Sequence, residues 1–421
     1  MNERKTIHMH EKLSFGYLDQ LSSKHGDSFY LIDTSRFKNN YFELINAFRK
    51  HYPKTLIGYS YKTNYTPYLC SLIDQFGGLA EVVSDMEYDL ALKVGVEPSK
   101  IIVNGPYKTL GNLKKYFSKG SLVNLDSYND FELLKQLVES ADYQCRVGLR
   151  CNFQITDRYI SRFGFDVEDE SFKGVLDFLR SCERISFEGI HSHFPDRAIQ
   201  YYNPRARQML QIAKRIFDTP PKFIDIGGGY FGKMPEFLAN QFGSVIPSYA
   251  DYANSVAKEF STFYSDLPED KKPTLIIEPG SAIVADTMFF VVKVIDIKKI
   301  NGCYIATTSG SKFNLGSFSS TVNMPMAVFV DSDNDSTFYE SIDIAGYTCI
   351  ESDYLFKGYR GVIAKGAYIV FSNIGSYSVV FKPPFILPNV PIIDINSSTE
   401  GVVIKNKETF DDIFSTFNFL E

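Results

Sequence analysis

Residues 122–150 read LVNLDSYNDFELLKQLVESADYQCRVGLR: two short apolar, β-prone runs on either side of one helical stretch. The helix opens on an Asp-Ser pair suited to cap its free N–H groups, and its apolar residues recur with a helical period. Such a unit is a strand, a helix and a returning strand. The same rhythm extends in both directions and gives eight strands: Leu56 to Tyr61, Leu79 to Val83, Ile101 to Val103, Leu122 to Leu125, Arg146 to Arg150, Phe187 to His191, Phe223 to Ile226 and Leu275 to Ile277. Helical stretches such as Asp126 to Ser140 and Asn203 to Phe217 lie between them. Eight βα units in about 240 residues have the size of a TIM (β/α)8 barrel. An open doubly wound sheet is the alternative.

After Glu278 the rhythm changes. The runs MFFVVKVIDIKK, CYIATTS, AVFVD, YESIDIAGYTCI and AYIVFSN are β-prone with little helical periodicity between them, which predicts a second, mainly antiparallel β domain. The strand-like FYLIDTSRF before the barrel is expected to join it. The expected domains are therefore 34–286 for the barrel, and 1–33 with 287–421 for a discontinuous β domain.

The 421 residues include 44 Lys and Arg against 50 Asp and Glu, for a net charge of −6, and this mild acidic excess argues against nucleic acid or an anionic membrane as partner. A small-molecule site is the better expectation. Six scattered cysteines without a CxxC pair suggest neither a disulfide framework nor structural zinc. The polar N-terminus lacks the apolar run of a secretory signal and no long apolar span occurs, so a cytoplasmic location is expected.

In a (β/α)8 barrel the chemistry gathers at the C-terminal strand ends. Lys62 follows strand one, Arg150 ends strand five, and His191 and His193 fall at the end of strand six. Gly227, Gly228 and Gly229 follow strand seven, and Glu278 ends strand eight. Singly, each has an ordinary explanation: a solvated lysine, a tight glycine turn, an ion-paired glutamate. The i, i+2 spacing of the histidines puts them on opposite faces, and no acidic or Cys partner lies near at ligand spacing, so no metal is expected. Together the residues describe a pyridoxal 5'-phosphate site, with a lysine to condense with the aldehyde, a glycine loop for the phosphate, a ring to cover the pyridine and a carboxylate to keep the pyridine nitrogen protonated.

At this point the chain resembles the fold-type III pyridoxal phosphate decarboxylases, the ornithine and diaminopimelate decarboxylase group with an alanine-racemase-like barrel. YSYKTN is similar to that family's Y-x-x-K-x-N motif and LAEVVSDMEYDLAL to its D-V-V-S-x-x-E-L stretch. NGPYKT, LRCN, RFGF, IHSHF, GGGY and IIEPGSAIVAD follow in family order, GYTCIESD is similar to a C-x3-D motif, and FSNIGSYSVVF to the motif ending in a cofactor-contacting Tyr. The resemblance implies that Lys62 holds the cofactor, Arg150 lies near its hydroxyl, His193 stacks on its ring, Gly227 to Gly229 bind phosphate and Glu278 pairs with the ring nitrogen. It further implies that Cys349 reprotonates the carbon after CO2 leaves, that Asp353 contacts the substrate's distal group, and that Tyr377 reaches the phosphate region. A homodimer is also implied, in which the C-x3-D loop of one subunit completes the barrel site of the other.

The sequence departs from the pattern at several places. Ser281 stands where the family has Arg after EPG, and a hydroxyl cannot give a bidentate cationic contact to phosphate or carboxylate. Pro195 and Asp196 replace Gly-Ser after the stacking histidine, so that the loop turns away or relies on Arg197. Glu81 replaces an Asp, and Ala367 the Asp of a late G-D turn. The expected reaction is decarboxylation of a basic or diamino acid, or a conjugate of one, as in polyamine or siderophore biosynthesis. The alternatives are diaminopimelate decarboxylation proper and a racemase on the same barrel, against which Glu278 speaks because a racemase sets Arg at the ring nitrogen. A barrel-only cofactor carrier would lack the β domain.

Overall fold

The computed structural model describes residues 10–155, 160–243, 245–316, 321–332 and 336–419. Residues 1–9, at the start of the segment expected to join the β domain, lie outside the described residues. The chain divides into two compact units: one gathers the described residues of Met1–Asn39, Gly232–Ser244 and Ile283–Glu421, the other Asn40–Phe231 and Val245–Ala282. Relative to the expected domains, the β unit also takes the short stretch that follows the glycine loop. Nothing in its composition sets it apart from the barrel.

In the second unit eight parallel strands close on themselves. They are Thr55–Ser60, Leu79–Val82, Ile101–Val103, Leu122–Leu125, Cys145–Asn152, Ile185–His191, Phe223–Asp225 and Thr274–Ile277, with the first paired to the last and to the second in parallel register. Each expected strand is present, shifted by at most two residues at either end. Helix Tyr128–Val138 starts where Ser127 accepts from the Asp130 N–H (3.3 Å), the cap read in the sequence. Ile102, Leu122, Phe223 and Ile276 pack into one buried hydrophobic cluster. Space for the Phe223 ring comes from Gly189, where a Cβ would lie 2.3 Å from the Phe223 carbonyl and 2.7 Å from its ring.

The other unit is a sheet built mainly from antiparallel pairs. Ser28–Ile32 pairs antiparallel with Met288–Ile300, as expected for FYLI, and parallel with Ile392–Asp394. The TSRF that follows instead begins helix Thr34–Arg49. Helix Phe15–His25 lays Leu18 and Leu21 on this sheet with Phe29, Leu31, Phe289, Val291, Val370 and Ile393. Within YESIDIAGYTCI only Thr337–Ala345 is strand; Gly346 to Ile350 turn away to carry Cys349. No helix among the described residues is long and apolar enough to cross a membrane.

Candidate active site

Lys62 sits in the 3-10 turn Tyr61–Thr63 that ends the first barrel strand. That turn presses on the EPG turn after the last strand: a Cβ on Gly280 would lie 2.0 Å from Thr63 Oγ1, so only glycine allows the approach. The Lys62 ammonium pairs with the buried Glu81 carboxylate, a contact tighter than a usual hydrogen bond. From Glu81 a buried chain of polar groups runs across the barrel. Asn104 Nδ2 donates to Glu81 Oε1 (3.0 Å) and to Glu278 Oε1 (2.6 Å), while its own Oδ1 accepts from Asn124 (2.8 Å). Glu278 Oε2 meets His191 Nε2 at 3.2 Å.

Asp225 is buried beside this chain, and one ligand atom each of His191, Asp225 and Glu278 lies within 4.8 Å of the others. This corrects the expectation that His191 has no acidic neighbours. They come from adjacent strands of the closed barrel, which spacing along the chain cannot reveal. Such a trio could hold a metal ion, yet His191 and Glu278 already bond directly to each other. Burial alone would push the Glu278 carboxyl up, but the His191 imidazole and the Lys62 charge hold it well below the usual carboxylate range. Asp225 goes the other way, raised well above that range by burial and by the neighbouring Glu278 charge. The two buried carboxyls are thus shifted in opposite directions by their surroundings.

The glycine loop joins this network by its backbone. Gly227 N–H donates to Asp225 Oδ1 (2.8 Å), Gly227 O accepts from Glu278 N–H (3.0 Å), and Gly228 N–H donates to His193 Nδ1 (3.0 Å). Thus His193 carries its proton on Nε2. Burial, followed by the positive charges of Lys62, Arg150 and Arg205, keeps this imidazole neutral, with its proton affinity well below the ordinary value. Of the triplet, only Gly229 has an N–H with no acceptor among the described residues.

Arg150 is fixed on three sides. Its Nη1 donates to Asp126 Oδ1 (3.1 Å), its Nη2 to the His193 carbonyl (3.3 Å), and its guanidinium lies 4.6 Å from the centre of the Phe163 ring in RFGF. Asp126 is anchored by its own N–H donating to Asp130 Oδ2 (2.9 Å), which also takes the buried Lys108 ammonium (2.8 Å). Ser281, only 8 % exposed, opens the short helix Ser281–Val284.

Lys62, Arg150, His193, Gly227 to Gly229 and Glu278 are thereby linked through shared partners in one unit. The remaining expected residues belong to the β unit. Cys349 is exposed on its bend. Asp353 is buried, and both its oxygens are engaged: Oδ1 accepts from Ser311 Oγ (3.0 Å) and Lys312 N–H (2.8 Å) of a separate turn, and Oδ2 from Thr348 Oγ1 (2.6 Å) and Thr348 N–H (3.2 Å) of its own loop. That geometry holds the Cys349 bend in shape. Tyr377 has a left-handed backbone (φ 55°), rare for a residue with a Cβ, and its ring stacks on Phe381 at 5.8 Å.

Several members were not singled out in the sequence as site residues: Asn104, Asn124, Asp126, Asp225 and Arg205. Each is one polar residue at a strand end or helix start. A signal existed in that each strand-end polar residue of such a barrel faces the same mouth. Glu81 was noted only as a substitution.

The site suits pyridoxal phosphate on its own chemistry. A partly exposed lysine amine is paired with a buried carboxylate, and the glycine loop keeps one N–H without an acceptor among the described residues. A barrel with this constellation belongs to the cofactor-dependent lyases that act on amino acids. Residues 40–285 match the pyridoxal-dependent decarboxylases in their pyridoxal binding domain, and the chain belongs to that family. The probable chloroplastic diaminopimelate decarboxylase of Oryza sativa subsp. japonica is 26% identical over 385 residues, covering 87% of this chain and 75% of the relative. Diaminopimelate decarboxylase of Methanothermobacter thermautotrophicus is 25% identical over 419 residues, covering 94% and 92%. The crystal structure of Helicobacter pylori diaminopimelate decarboxylase complexed with L-lysine superposes with a TM-score of 0.79 at 20% identity, covering 94% of this chain and 98% of that one. The protein is a pyridoxal-phosphate-dependent amino-acid decarboxylase, with the barrel and β domain that the sequence predicts.

Proposed function

We propose that the enzyme removes the carboxylate of a diamino acid as CO2 and releases the amine, with meso-diaminopimelate the first substrate to test and L-lysine its product. The observation that carries this reading is the buried Glu278 wired through Asn104 and Glu81 to Lys62. Pyridoxal phosphate, when bound, supplies a conjugated sink for the electron pair left as CO2 departs. Every other task falls to the chain. Lys62 Nζ would hold the cofactor by its aldehyde, and Glu278 would keep the pyridine nitrogen protonated by a charge-assisted hydrogen bond. The neutral His193 ring would stack on the pyridine, Arg150 would lie near its hydroxyl, and the Gly227 to Gly229 loop, with its Gly229 N–H, would receive the phosphate together with Tyr377. Cys349 Sγ–H returns a proton to the α-carbon, and Ser281 borders the substrate or the phosphate. Asp353 braces the Cys349 bend and would contact the substrate's distal group. The sites are shared in a homodimer working in the cytoplasm.

A racemase needs the opposite electrostatics at the ring nitrogen, a cation that weakens the sink, and Glu278 supplies an anion. The test is to incubate purified, cofactor-loaded protein with diaminopimelate, lysine, ornithine, arginine and conjugated diamino acids while measuring CO2, amine and inverted enantiomer. CO2 and amine in equal amounts support the proposal. Enantiomer without CO2 sinks it.

A further inference from the structure

Arg205 lies on helix Tyr202–Ile216 and is wholly shielded from solvent. A guanidinium there loses its hydration and ordinarily has a carboxylate for compensation. Among the described residues none lies within ion-pair reach. Its Nη1 donates to the carbonyls of Gly228 (3.0 Å) and Ile226 (3.4 Å), and its Nη2 to those of Asp196 (3.3 Å) and Phe194 (3.5 Å). The buried Nε has no acceptor. The group is 4.6 Å from the centre of the Tyr202 ring and 5.4 Å from that of Phe194, so it rests among aromatic faces with its charge unneutralised.

One cation thus staples two loops of the barrel mouth, the Phe194 to Asp196 turn after strand six and the glycine loop after strand seven. Gly229 lies at their junction. Its backbone is left-handed (φ 96°), and a Cβ there would approach the Phe194 carbonyl and the Tyr202 hydroxyl to 3.2 Å. The loop therefore meets Arg205 through its carbonyl oxygens, while the Gly229 N–H remains unspent. A buried positive charge behind a loop with a free N–H draws an anion to the front of that loop, and the low dielectric leaves the field largely unscreened. The same field reaches His193.

We infer that Arg205 is the cationic anchor of the cofactor's phosphate, a positioning residue that acts through the glycine loop from beneath and supplies the charge that Ser281 cannot. This rests on the site being a pyridoxal phosphate site.

The test compares the affinity of cofactor-free protein for pyridoxal phosphate and for pyridoxal, whose ratio isolates the phosphate's share. Arg205→Gln should lower that ratio about tenfold or more with pyridoxal affinity kept, whereas Arg205→Lys, which retains charge but not the fork, should stay within about threefold of the wild type. A purely structural role would weaken both ligands alike, and that result, or an unchanged ratio in Arg205→Gln, overturns the inference. Should Arg205→Gln not fold, Ser281→Arg on the otherwise unaltered chain decides. With the charge already supplied from beneath, the ratio rises less than about threefold, and a rise of about tenfold or more refutes it. A wild-type protein that binds neither ligand removes the decarboxylase reading and this inference together. Wild-type binding with unaffected variants removes this inference alone.

Discussion

Lys62 and Glu278 stand at two ends of one buried hydrogen-bonded chain, and their separate tasks can be told apart by substitution. Lys62→Ala removes the amine that holds the cofactor, so turnover should fall by about a thousandfold or more. Borohydride reduction of the loaded wild type followed by peptide mapping should put the pyridoxyl group on Lys62, and a label on another lysine would refute the assignment. Glu278→Gln keeps the shape and the Asn104 contact but cannot hold a proton on the ring nitrogen. Its kcat should drop about a hundredfold while cofactor affinity changes less than tenfold, because the phosphate is gripped elsewhere. A kcat near the wild-type value would end the electron-sink role. Lys62 and Glu278 were legible in the sequence because each lies in a recognisable run at a strand end. Asn104 and Asp225 were not, since a lone polar residue closing an apolar strand takes its meaning from neighbours that only barrel closure supplies.

At the scale of elements, the helix Asp85–Lys93 carries Glu87 in its first turn, where the Val83 N–H donates to it (2.8 Å). An acid suits a helix start, but this one is buried, and burial with the nearby Glu81 charge pushes it up to about 7. The fold therefore favours its protonated form. That contribution is complete below the ordinary carboxylate value of 4.5 and is lost as the pH climbs through about 7. Glu87→Gln should accordingly reduce the fall in unfolding temperature of the cofactor-free protein between pH 5.5 and 8.5 by about 2–4 °C. An identical pH profile in both proteins would show that Glu87 ionises freely. The barrel strands could be read because each is a short apolar run closed by polar residues and followed by a capped helix. In the β unit the signal is weaker. Tyr354–Ile363 alternates charged, glycine and apolar residues, and Ile392–Asp394 is only three residues long, so neither stood out, although both are paired in the sheet.

For the whole molecule, the exposed Cys349 on a bend braced by Asp353 fits a thiol delivered to another subunit. Mixing equal amounts of Lys62→Ala and Cys349→Ala chains, each inactive alone, should restore about a quarter of wild-type activity, since half of the dimers are mixed and each mixed dimer has one intact site of two. Heterodimers that form without regaining activity would exclude shared sites. The pairing of Ser28–Ile32 with Met288–Ile300 and Ile392–Asp394 also bears on how the chain is made. As the ribosome extends it, the barrel strands from Thr55 to Ile277 are all available before either neighbour of that first strand emerges. The N-terminal strand must therefore wait, unpaired and apolar, while an entire barrel assembles after it. A nascent chain halted near residue 285 would hold every barrel strand but neither partner of Ser28–Ile32, leaving that apolar edge open to wrong pairing until the later strands are made.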